Sequence, residues 1–223
     1  MRLFTTETSF ALDRPSNGSI PTNEIVITEN GSDPPKQASN KNVATEWYLI
    51  LVNRWNPILD DYKVELMEMT NGQSIDRRIY PALQEMFDAA RRDGVYPVVS
   101  SGYRTSEEQQ RLLNNKIAAF RDEGYSPEES VFKAKSWVAA PGASEHQLGL
   151  AVDIGGDGIN SIDYSVYEWM NQNSYKYGFI SRYPAGKTEI TGVNNELWHY
   201  RYVGTDVATE MYYQGLCLEE YLR

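Results

Sequence analysis

A chain of 223 residues with 41% hydrophobic content is long enough for one domain with an extension, or two small ones, and can bury a sizeable core. Its formal charge of -10, with no Lys/Arg-rich run, excludes the basic footprint that a phosphate backbone demands, so no nucleic-acid partner is expected. A single cysteine, Cys217, excludes an intramolecular disulfide and any Cys-based zinc cluster, and reads as a buried small hydrophobe.

No stretch approaches the ~20 apolar residues of a membrane span. Thr5, Thr6, Glu7 and Thr8 interrupt the apolar character that a signal peptide at residues 1–12 would need, and the chain as written reads as soluble. From 13 to 42 the sequence is rich in Pro, Ser, Asn, Gly and Thr, with Ile25–Ile27 as a short apolar run. Residues 1–45 are therefore expected to be a flexible arm or linker ahead of a folded domain at 46–223.

That domain is expected to open with a buried strand, Trp47–Val52. Ile79, Leu83, Met86, Phe87 and Ala90 then fall at helical spacing, with Pro81 in the first turn and Gly94 at the end. Val95–Ser100 reads as a short strand running into Arg104. Ser106 and Gln109 suggest a capping box for a helix through Phe120 that Gly124 stops, and Ser126 with Glu129 suggests a second box for a helix through Val138. From Leu148 to Ile154 the residues alternate, so that Asp153 shares a face with Gly149 and Ala151. A helix near Tyr164–Tyr177 ends at Gly178. Phe179–Arg182, a turn at Pro184–Lys187 and Glu189–Thr191 suggest a hairpin, and Trp198–Val203 a last strand before closing helices. The interleaving implies an α+β fold with a small antiparallel sheet flanked by helices.

The chemistry gathers around the two histidines. His146, Asp153 and His199 offer imidazole and carboxylate donors from separate elements, which is the ligand type of a catalytic zinc with a fourth position left for water. Glu196, three residues before His199, suits the accompanying base, provided that it lies in the turn around Asn194 and Asn195, because positions three apart on an ideal strand face opposite ways. Spacing alone leaves open that both histidines are hydrogen-bonded core residues. Arg104, at a strand-to-helix junction, can hold a carboxylate or polarise a carbonyl. Trp198 and Tyr177 are candidates for walling a pocket or for the core. Gly155–Gly158 reads as a turn, lacking the alternating oxygen ligands of a calcium loop.

The text Ser144-x-His146-x-x-Gly149-x-Ala151-x-Asp153, followed by Glu196-x-Trp198-His199, resembles the zinc D-alanyl-D-alanine carboxypeptidases of the VanY type and their dipeptidase relatives, within the M15 peptidases. Ser101–Arg104, Tyr177–Ile180, Arg182–Pro184 and Arg201–Gly204 look like the same family, in the same order. The resemblance implies Zn2+ held by His146, Asp153 and His199 in a cleft on the sheet, Glu196 as catalytic base, Arg104 near the scissile peptide or terminal carboxylate, and Ser144, Gln109 and Trp198 among the substrate-binding residues. It implies residues 46–223 as a D,D-carboxypeptidase domain acting on peptidoglycan stem peptides ending in D-Ala-D-Ala, in wall remodelling or glycopeptide resistance. The expected place is the bacterial cell surface, reached through an N-terminal anchor absent from this sequence, with the cytoplasm as alternative.

D-Ala-D-Ala dipeptidase, dual dipeptidase/carboxypeptidase and L,D-carboxypeptidase activities remain alternatives, with the Lys116–Trp137 segment placed to shape either an open groove or a lid. A silent peptidoglycan-binding module would be expected to lack a ligand or the base. Ser130-Val-Phe-Lys133 matches the Ser-x-x-Lys of penicillin-binding enzymes, but Ser-Asp-Asn and Lys-Thr-Gly partners are missing.

Overall fold

The structure, a computed structural model, describes residues 46–223; the expected arm at 1–45 lies outside the described residues. A short antiparallel hairpin of β1 (Leu66–Glu68) and β2 (Ser74–Asp76) precedes α1 (Tyr80–Arg92) and β3 (Pro97–Ser101). Then come α2 (Ser106–Asp122), α3 (Pro127–Ala134), a 3-10 turn at Glu145–Leu148 and β4 (Ala151–Gly156). After α4 (Asp163–Asn173) and a second 3-10 turn at Ser174–Tyr177 follow β5 (Phe179–Tyr183), α5 (Thr188–Thr191), β6 (Glu196–Tyr202), α6 (Thr205–Gln214) and α7 (Leu218–Tyr221). The main sheet has the order β3-β4-β6-β5 with every neighbouring pair antiparallel, as the α+β reading expects.

The two faces of this sheet differ in chemistry. Val152, Ile154 and Tyr200 point into a core shared with Leu83, Met86 and Phe87 of α1 and Val166 and Met170 of α4. Because strand side chains alternate, Asp153, His199 and Arg201 must point the other way. That polar face carries the site. A second apolar cluster, Ile180, Val203, Ala208, Met211 and Leu218, packs α6 and α7 against the far end of β5 and β6.

Several expectations need correction. Trp47–Val52 is not a strand: the carbonyls of Tyr48 and Ile50 accept from Nη2 of the buried Arg201 at 2.8 and 2.9 Å, so an arginine takes the place of a neighbouring strand. Residues 188–191 form a helical turn rather than half of a hairpin, and β5 instead pairs with β6. The helix capped by Ser126 ends at Ala134, short of Val138. The capping box of α2 is built by Thr105 and Glu108, one residue before the expected pair. The β1–β2 hairpin went unread, since three-residue strands carry too little alternation to detect.

Gly149 joins the turn bearing His146 to the strand bearing Asp153. Its φ is +71°, and an added Cβ would stand 2.9 Å from the Asp76 amide nitrogen, which itself donates to the Gly149 carbonyl. Gly149→Ala is therefore expected to destabilise the fold by about 1–3 kcal/mol, combining left-handed strain with a backbone clash. Chemical denaturation of the two proteins measures this, and an unchanged midpoint would contradict it.

Candidate active site and metal centre

Sheet register sets the first part of the site. Asp153 on β4 pairs with His199 on β6, and the 3-10 turn just ahead of β4 delivers His146. All three side chains are buried, and their ligand atoms lie within 4.8 Å of one another. Nδ1 of His146 lies 2.6 Å from the Gly102 carbonyl, which draws the ring proton to Nδ1 and leaves Nε2 facing Asp153 Oδ1 at 3.3 Å. His199 approaches the same oxygen with its other nitrogen, Nδ1, at 3.0 Å. Tetrahedral ligands about 2.0–2.1 Å from zinc would stand roughly 3.3–3.4 Å apart, so the donor spacing and the N,N,O donor set both fit that ion.

Electrostatics at the cluster follow from burial and charge. Burial opposes the charge of Asp153, but His146 and His199 hold its carboxyl well below the ordinary range. Burial pulls the pKa of His146 down. For His199 burial works in the same direction, yet the Asp153 and Glu145 carboxylates outweigh it and push the ring up to about 9.

Glu196 is the first residue of β6 rather than part of a turn, which corrects the expectation about its placement. The same-face requirement is met by an irregularity in the ladder: Ser181 pairs with Tyr200 while Tyr183 pairs with Glu196, so β6 carries extra residues between these pairs. Glu196 Oε2 thereby comes 3.7 Å from His199 Nδ1. Burial raises its pKa to about 7, within the range useful to a base at neutral pH.

Arg104 reaches the cluster from the β3–α2 junction. Its Nη2 donates to Asp153 Oδ2 at 2.6 Å, its Nε to Ser101 Oγ at 2.9 Å and its Nη1 to Gln109 Oε1 at 3.5 Å. Gln109 is buried, and its Nε2 donates to the Ala139 carbonyl at 2.7 Å, so both ends of its amide are engaged within the protein. Because Thr105 rather than Ser106 caps α2, Gln109 is released from capping and faces the cleft. Ser144 is buried, lines the cleft and makes no helix-capping bond.

These residues share a cleft of about 550 Å³. One wall is made by Leu112, Lys116 and Ala119 of α2 with Trp137 and Val138 beyond α3, so the Lys116–Trp137 segment does shape the groove. Trp198 lines the cleft, whereas Tyr177 stacks on Trp169 beside the core. Ser130 and Lys133 are absent from the lining: the buried Ser130 hydroxyl donates to the Tyr125 carbonyl and Lys133 lies over the Tyr125 ring. The Asp157 carboxylate accepts from the Ile159, Asn160 and Ser161 amides, so its oxygens close the 157–161 turn, which Tyr96 ties to the start of β3.

Other site residues escaped the sequence reading. Tyr183 stands with its ring 4.9 Å from that of His199, and burial raises its hydroxyl well above the usual range. Behind the cluster, Glu145, Arg182 and Arg201 form a buried charge network. Arg182 Nε donates to Glu145 Oε1 at 2.8 Å, and Arg201 Nη1 lies 2.9 Å from the same oxygen. Arg182 also holds both oxygens of Glu219 at 2.7 and 2.8 Å, and Glu219 accepts from Asn53. The available signal was an arginine next to aromatic residues in each of two strands, Arg182 beside Tyr183 in β5 and Arg201 between Tyr200 and Tyr202 in β6.

Comparison with known proteins agrees with this geometry. The family model described as VanY, D-alanyl-D-alanine carboxypeptidase, matches residues 72–205. A D-alanyl-D-alanine carboxypeptidase of Enterococcus faecalis is 61% identical over 177 residues, covering 79% of this chain and 66% of that protein. The chain spans two thirds or less of the length of the curated relatives it matches. Among solved structures, a glutamate-to-alanine mutant of the vancomycin resistance D,D-pentapeptidase VanY in complex with Zn(II) superposes with a TM-score of 0.79 at 61% identity, covering 80% of this chain and 100% of that one. VanYB in complex with D-alanine-D-alanine gives the same TM-score of 0.79 and 61% identity, over 79% of this chain and 98% of that one. With a matching sheet, a donor set suited to zinc and more than half of its length inside the family model, the chain belongs to the VanY family of D-alanyl-D-alanine carboxypeptidases.

Proposed function

We propose that this chain is a zinc-dependent D,D-carboxypeptidase that hydrolyses the terminal D-Ala-D-Ala bond of peptidoglycan stem peptides at the bacterial cell surface, with His146, Asp153 and His199 as the zinc ligands. The observation that carries the reading is the arrival of a buried carboxyl, Glu196, 3.7 Å from a His/Asp/His cluster inside a cleft. Zinc, when bound, supplies a Lewis acid and brings the pKa of water to about 7.

The protein's own side chains do the rest. Glu196 accepts a proton from the attacking water and returns it to the departing D-Ala nitrogen. Arg104, anchored by Ser101, places a guanidinium where negative charge develops on the scissile carbonyl oxygen. Ser144 is placed to hydrogen-bond the substrate carboxylate. The cleft continues past the cluster along α2 to Lys116 and Trp137, which favours a longer peptide over a free dipeptide. The VanY relatives' association with D-alanyl-D-alanine and vancomycin resistance supports a glycopeptide-resistance role or wall remodelling. No helix among the described residues is long and apolar enough to cross a membrane, so surface attachment would depend on segments outside them.

The test measures D-Ala release from a stem pentapeptide, from the tetrapeptide lacking the last D-Ala, and from free D-Ala-D-Ala. Release from the pentapeptide above both others, abolished by a chelator and restored by zinc, is expected. Preference for the dipeptide would move the assignment to dipeptidase, preference for the tetrapeptide to L,D-carboxypeptidase. No release by zinc-loaded protein from any of them would overturn the enzyme reading.

A further inference from the structure

We infer that Glu145 is a positioning residue for the metal centre, fixing the tautomer and ring orientation of His199 by accepting a hydrogen bond from its Nε2. The inference rests on the zinc reading above but not on the substrate.

An imidazole can offer Nδ1 to a metal as a neutral ligand only if its proton sits on Nε2. A buried N–H with no acceptor is costly, and metal-ligating histidines ordinarily give that proton to a carboxylate or carbonyl. His146 follows this rule through the Gly102 carbonyl. His199, which turns Nδ1 toward Asp153, has no hydrogen-bond partner at Nε2. The buried atom opposite is Glu145 Oε2, which has none either, and the two are 3.6 Å apart. Two buried orphans of complementary chemistry face each other just beyond bonding distance. Shortening that 3.6 Å separation to a hydrogen bond is a shift of roughly half an ångström.

Glu145 is built to stay where it is. Its side chain is fully buried, and its other oxygen is fixed by Arg182 of β5 and Arg201 of β6. One turn of chain thus serves both histidines, His146 as a ligand and Glu145 as the anchor behind the second ligand. A purely structural Glu145 would balance the two arginines and leave His199 untouched, so the readouts must report on the metal.

The chain has only two histidines, which makes its imidazole nitrogen NMR spectrum simple to assign. In the zinc-loaded wild type, His199 is expected to carry its proton on Nε2, strongly downfield and slow to exchange, and His146 on Nδ1. Glu145→Gln is expected to lose that downfield shift and to bind zinc about 10- to 100-fold more weakly in chelator competition, with an altered visible spectrum after cobalt substitution. Glu219→Gln, which weakens the Arg182 network at a distance from the cluster, serves as the stability control and is expected to keep wild-type zinc affinity. Metal bound through Nε2 of His199, or equal zinc affinity in wild type and both folded variants, would overturn the inference. Should Glu145→Gln fail to fold, the wild-type tautomer decides alone. Failure of the wild type to bind zinc would sink the metal reading together with this one, whereas zinc binding without D-Ala release would sink the substrate assignment only.

Discussion

Glu196→Gln is expected to lower kcat by about 10²- to 10⁴-fold while the protein stays folded and retains its zinc. Glutamine keeps the size and polarity of the side chain but cannot take a proton from water or deliver one to the leaving amine. Glu196 is not one of the three clustered donors; it stands to one side, 3.7 Å from His199. Zinc content by elemental analysis should therefore match the wild type, and kinetics should show the loss in kcat. Activity within a few-fold of wild type would remove Glu196 from the mechanism. The same side chain sets an acid limb in the pH profile. Burial raises its pKa to about 7, and a base works only when deprotonated, so activity rises with pH through that value. A neighbouring zinc ion would favour the carboxylate and move the limb lower. A profile whose acid limb lies clearly above pH 7 would contradict the assignment.

The largest stability effect is expected at Arg182→Met. This guanidinium has no solvent exposure and bonds two carboxylates, Glu145 behind the cluster and Glu219 at the C-terminal helix. Burial alone would favour its neutral form, but Glu145 and Glu219 hold its pKa well above the ordinary value, so the charge is maintained. Methionine fills much of the space but removes the cation that bonds Glu219 and one of the two that face Glu145. Breaking a buried pair from one side costs about 3–5 kcal/mol, which for a domain of this size lowers Tm by roughly 6–20 °C. Glu145 keeps Arg201 2.9 Å away, so Glu219 is the more exposed to this loss. A thermal melt within 2 °C of wild type would mean that these groups are not a tightly coupled ion network.

Much of the site was legible before folding. His146, Asp153, Glu196 and His199 stand out as candidates because this chain has few histidines and sets acidic residues beside them, and the motif text they share with the VanY family implies their roles. Helix boundaries were legible where backbone chemistry is local: Gly94 and Gly124 end α1 and α2 with left-handed φ, and Ser126 with Glu129 caps α3. A local signal is ambiguous where a near neighbour carries the same chemistry. Thr105 and Ser106 both suit an N-cap, and the box falls on Thr105 and Glu108, which leaves Gln109 to the cleft, the other of its two expected roles.

What the sequence determined by itself is most of the helices, the antiparallel α+β class and, through its motif text, a candidate donor set, because residue type, caps and hydrophobic period act over a few positions. What only the tertiary structure decided is register and long-range charge. The ladder irregularity between β5 and β6 turns Glu196 toward His199, although the two stand three apart on a strand. The pairing of Glu145 with Arg182 and Arg201, and the capture of the Tyr48 and Ile50 carbonyls by Arg201, join segments up to 153 residues apart. Such contacts have no short-range pattern, since each depends on which buried charge finds a partner once the sheet has closed.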